Sequence, residues 1–74
     1  MEKIYCFDEN DKIKVAKIEV SEKRRQLYEC LGICEGTILT IFFKCKKNLI
    51  VKLDEKKIAL SKEASEEIFA ERIF

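Results

Sequence analysis

A chain of 74 residues has room for one domain, read as residues 1–74, and its 15 basic and 14 acidic side chains leave a formal charge of only +1, too little for a general field that would hold a nucleic acid. With 47% hydrophobic and 39% charged residues, two glycines, no proline and no histidine, the composition excludes a disordered tail. No segment nears the roughly 20 apolar residues of a membrane span, and no apolar leader opens the chain, so a non-spanning cytoplasmic protein is expected.

In chain order, Ile4, Tyr5 and Phe7 form an apolar opening cluster expected to tuck under the barrel before the first true strand, and Asp8-Glu9-Asn10-Asp11 has the chemistry of a turn. From Lys12 to Val20 apolar residues alternate, but Ile13 and Val15 fall on one phase and Ala16, Ile18 and Val20 on the other. One extra residue near Val15, a β-bulge, keeps a single buried face. Ser21 is an N-cap for a helix from Glu22 to Leu31, whose Leu27 and Leu31 share a face and, with Ile33, are expected in the core; Gly32 supplies the left-handed stop.

Gly36-Thr37 makes a turn into a strand over 37–43, with Leu39, Ile41 and Phe43 predicted inward. Lys44 to Asn48 connects it as a hairpin to Leu49-Ile50-Val51-Lys52-Leu53, and the Lys44, Lys46 and Lys47 side chains read as edge protection. Asp54 to Lys57 turns into a third strand, Ile58-Ala59-Leu60. Ser61 caps a single helical turn, and Ile68 belongs to a last strand. The fold class is mainly β: a small closed barrel of about five strands, with one short helix between the first two.

Few residues carry chemistry. Lys23-Arg24-Arg25 sets three cations in the first helical turn, where the macrodipole prefers anions, so Arg24 and Arg25 are either a contact patch for an acidic partner or long stems lying on the barrel wall. Tyr28 beside them is an interface aromatic or a packed ring with a wet hydroxyl. Phe42 and Ile50 lie opposite the predicted core, as a binding patch or beneath a cover of Ile4, Tyr5 and Phe7. Cys6, Cys30, Cys34 and Cys45 read as free thiols, because no oxidising compartment is implied. A metal sensor built on Cys30, Cys34 and Cys45 is the sharper alternative, although no Cys-x-x-Cys pair or histidine supports it. With no histidine base, activated thiol or phosphate loop, an enzyme is not expected, and the acidic residues Glu63, Glu66, Glu67 and Glu71 read as a solvated run.

The basic Arg24 or Arg25 before Leu27, Leu31 and Gly32, then Ile33, Gly36-Thr37, and Ile58-Ala59-Leu60 with Ile68 beyond, resemble in this order the ferrous iron transport protein A (FeoA) family. The resemblance spans about Ile13 to Ile73, with departures at Asp11, Glu35, Asp54 and Glu55. It implies an SH3-like barrel and a non-enzymatic accessory role in bacterial ferrous iron uptake. The implied partner is the cytosolic, G-protein-like part of a ferrous iron membrane transporter, met at the inner face of the membrane. Contact is expected through Arg24, Arg25 and Tyr28. No cofactor is expected, with weak transition-metal binding and weak self-association left as options; a nucleic-acid-binding small barrel is the remaining alternative, against which the charge balance argues.

Overall fold

A computed structural model describes residues 1–73. The elements run β1 (Glu2–Lys3), a 3-10 turn (Ile4–Cys6), β2 (Lys12–Ile18), α1 (Glu22–Cys30), β3 (Ile38–Lys44), β4 (Asn48–Leu53), β5 (Lys56–Ser61), α2 (Lys62–Ser65) and β6 (Ile68–Arg72). All pairings are antiparallel, in the order β1-β6-β2-β3-β4-β5. Two expectations change here. There are six strands, because the opening segment contributes the two-residue β1 against β6, and the helix therefore lies between the second and third. The hydrogen-bonded ladder is also open between β5 and β1; α2 packs against β5, β4 and the 3-10 turn, and the Lys62 amide donates to the Lys47 carbonyl at 2.9 Å.

Alternation along the strands fills one face with Ile13, Val15, Ile18, Leu39, Ile41, Leu49, Val51, Leu60, Ile68 and Ala70, and the opening segment adds Ile4 and Phe7 to the same core. The β2 to β6 register shifts between Val15 and Lys17, so the bulge read from the change of phase is present. A second bulge lies between Ile41 and Phe43 in β3. It turns Phe43 outward, 48% exposed, where simple alternation had placed it inside. Phe42 remains 45% exposed, because Ile4 and Phe7 enter the core and leave it uncovered.

Turn chemistry follows the residues. Asn10 takes φ 77° and the Asp11 amide donates to the Asp8 carbonyl at 3.1 Å, closing the 8–11 turn. Asp54 takes φ 55° in the β4–β5 connection without a glycine. Lys44 serves as a clamp: its ammonium donates to the Tyr5 and Phe7 carbonyls at 3.1 and 3.0 Å and thereby holds the opening segment against β3.

Candidate functional site

Helix α1 starts where the sequence says. Ser21 is extended, and its hydroxyl accepts from the Arg24 amide at 3.3 Å. It ends in a Schellman motif: the Gly32 amide donates to the Glu29 carbonyl at 3.0 Å and the Ile33 amide to the Tyr28 carbonyl at 2.8 Å, with Gly32 at φ +89°. This reversal sends Ile33 into the core beside Tyr28, the apolar pairing that commonly completes the motif.

The docked face of α1 is not the leucine face. Leu27 is 60% and Leu31 42% exposed, whereas Tyr28, one residue or about 100° further round, is 5% exposed and is the one buried residue of the helix. The reason lies in polar partners from distant segments. Tyr28 donates its hydroxyl hydrogen to Glu67 Oε1 at 3.0 Å, and the Arg24 guanidinium reaches the same oxygen at 2.6 Å. A further Arg24 contact to the Tyr28 hydroxyl spans 3.4 Å. Arg25 donates to the Ile18 carbonyl at the end of β2 at 2.7 Å and lies 3.8 Å from the Glu35 carboxylate. Docking through Leu27 would break all of these, and an aromatic ring with a paired hydroxyl buries as readily as a leucine.

The two arginines of the first turn are thus offset by carboxylates from elsewhere in the chain. The hydrogen bond to Glu67 raises the Arg24 pKa, with the Tyr28 hydroxyl adding to it. Burial raises that of Tyr28 above the ordinary phenol value, and its bond to Glu67 acts in the same direction. Glu67, read from sequence as one of a solvated run, is the hub of the cluster. No local pattern marks it, since its partners lie about forty residues away.

The three residues expected at a partner contact are therefore gathered in one place, with unequal access. The Arg24 side chain is 48% exposed and Arg25 partly so, while Tyr28 is enclosed and fixes the helix. The outward face beside them carries Leu27 and Leu31, one turn apart, an apolar stripe that the sequence had assigned to the core. All four cysteines are exposed free thiols; Cys34 sits in the turn that closes on Thr37 and Cys45 in the β3–β4 loop. Among the described residues no group of three or more histidine, cysteine or acidic side chains is placed to hold a metal ion. No helix is long and apolar enough to cross a membrane.

No protein-family model and no curated protein matches the chain. Solved structures do. A FeoA-like protein from Clostridium acetobutylicum superposes with a TM-score of 0.84 at 23% identity, over 99% of this chain and 87% of that one. The FeoA protein from Chlorobium tepidum gives 0.88 at 15% identity, over 97% and 70%. A manganese-dependent transcriptional repressor gives 0.87 at 16% identity over 97% of this chain, which spans only 41% of the repressor. At such identities the likeness is one of fold: this chain has the fold of the FeoA proteins, over nearly its whole length.

Proposed function

We propose that the chain is a non-enzymatic accessory protein of ferrous iron uptake that binds the cytosolic, G-protein-like part of a ferrous iron transporter and modulates transport. The observation that carries this reading is the fold shared over 99% and 97% of the chain with proteins named FeoA, one of them covered to 87% of its own length. The binding surface in this reading is the outward face of α1, where the Leu27 and Leu31 stripe supplies apolar area and Arg24 and Arg25 supply charge at its side. Tyr28 acts there as the positioning residue that holds the helix on the sheet. No resident cofactor is required, and cytoplasmic location at the inner membrane face follows from the partner.

The test is titration of the transporter's cytosolic domain into the isotopically labelled chain. Amide shifts centred on α1 are expected, and Leu27→Ser, at a position whose side chain is mostly in solvent, weakens binding without unfolding the chain. Charge reversal of Arg24 and Arg25 weakens it further. Unchanged affinity in Leu27→Ser and in the arginine variants removes the helix face; absence of any binding removes the function.

A further inference from the structure

The outer face of the sheet, away from α1's polar anchor, holds a feature that the accessory reading does not use. Cross-strand partners project to one side, and the register Lys12↔Thr40↔Lys52↔Lys57 sets three lysines in one row across β2, β3, β4 and β5. Lys12, Ile38, Thr40, Lys52 and Asp54 line an open groove of about 390 Å³. The adjoining row is apolar: Phe42 faces outward by alternation with Thr40, the β3 bulge turns Phe43 outward as well, opposite Ile50, and Ala59 follows.

Charge pairing separates the arginines from the lysines. All three arginines are matched with the chain's own carboxylates, Arg24 with Glu67, Arg25 with Glu35 and Arg72 with Asp11. Among the described residues Lys17 is the one lysine with a carboxylate partner, Glu19, so Lys12, Lys52 and Lys57 are unpaired like the other lysines and are set apart by their common row; Asp54 is the one acid on the groove.

We propose that this face binds the surface of an anionic lipid bilayer. Lysines are point charges on flexible stems without the fork that selects a particular carboxylate, so a row of them suits a laterally mobile field of phosphate headgroups better than a stereospecific acidic peptide. Exposed aromatic and aliphatic side chains next to the row give the face apolar groups to enter the interfacial layer. A single-stranded nucleic acid fits less well, because the Lys57 ammonium lies 4.2 Å from the centroid of Phe42 and takes one face of the ring on which a base would stack. The inference stands apart from the transporter reading, since lipid is the only partner it needs.

Co-flotation of the full chain with phosphatidylcholine vesicles, and with equimolar phosphatidylcholine and phosphatidylglycerol vesicles, tests it in the absence of any transporter. Binding to the anionic vesicles alone is expected, declining as added salt shortens the Debye length. Each of Lys52→Gln and Lys57→Gln should weaken it about fivefold and the pair about 25-fold. Phe43→Ser should weaken it at unchanged charge, and the charge-matched control Lys17→Gln with Lys23→Gln should change it by less than about twofold. Circular dichroism verifies that each variant is folded. No partition onto anionic vesicles, equal loss in the control pair, or capture of a single-stranded oligonucleotide or a poly-glutamate peptide in place of vesicles overturns the proposal.

Discussion

Replacing Tyr28 with phenylalanine removes one oxygen and leaves the buried ring in place. The lost hydroxyl donates to Glu67 at 3.0 Å and lies 3.4 Å from the Ala64 carbonyl. A hydrogen bond to an ionised acceptor contributes roughly 1.5 to 3 kcal/mol net. Here the acceptor keeps Arg24 at 2.6 Å, and the Glu67 side chain is 32% exposed, so no charge is stranded away from water. The loss therefore falls at or just below the lower limit of that range, about 1 to 1.5 kcal/mol. For a domain of this size that lowers Tm by roughly 4 to 12 °C. Urea unfolding followed by far-ultraviolet circular dichroism measures it directly. If the Glu67 oxygen is the shared acceptor, Tyr28→Phe and Glu67→Gln couple, and the double variant departs from additivity by about 1 kcal/mol. The raised Tyr28 pKa supplies an independent readout. Above about pH 10 the unfolded chain has released this proton while the folded one still holds it, so stability falls as pH rises, and Tyr28→Phe should flatten that decline. A Tyr28→Phe protein as stable as the parent, or additive with Glu67→Gln, would show that the ring alone docks the helix.

Gly32 and Gly36 have nearly the same left-handed φ, +89° and +92°, but an added Cβ at Gly32 meets Leu53 Cδ2 at 2.9 Å, whereas at Gly36 nothing lies within 4 Å. Gly36→Ala should cost about 1 to 2 kcal/mol of backbone strain, and Gly32→Ala somewhat more; Leu53→Ala should abolish the difference in chemical denaturation, and equal losses in the two single variants would rule out the contact. At the other end of the pH scale, the Asp8 amide at 2.9 Å and then the Arg72 guanidinium at 2.7 Å hold the Asp11 carboxyl below the usual carboxylate range. The stabilisation is present above the ordinary carboxylate pKa and is lost as pH falls through the lowered value, so the Asp11 resonance in an NMR titration should move at lower pH than a free aspartate, and Arg72→Gln should raise its midpoint.

Much of the strand order was legible because it is written in local residues. The change of phase around Val15 announces a bulge since polar lysines interleave with the apolar positions there. The bulge at Phe42 leaves no such trace, because Phe42 and Phe43 are the same residue and either can face inward. The helix shows the same contrast. Ser21 and Gly32 act on their own neighbours and set its ends, but which side faces the sheet depends on Glu67 and the Ile18 carbonyl, and hydropathy favours Leu27 over Tyr28. At the candidate site Arg24, Arg25 and Tyr28 were singled out from sequence, while Glu67, which joins two of them, was hidden by distance along the chain. Likewise β1 is only two residues long, too short to alternate, and the open seam depends on how α2 meets the 3-10 turn.

Anchorage by one ring and a few charged contacts gives α1 a different kind of hold from that of the strands, which share a continuous apolar interior. Opening the helix exposes little hydrocarbon, so its amides should exchange with deuterium well before those of β3 and β4. Loosening these contacts would free the segment while the six-stranded sheet beneath it keeps its apolar interior. The Arg24, Tyr28 and Glu67 contacts that position the helix thus also set how readily it lifts away.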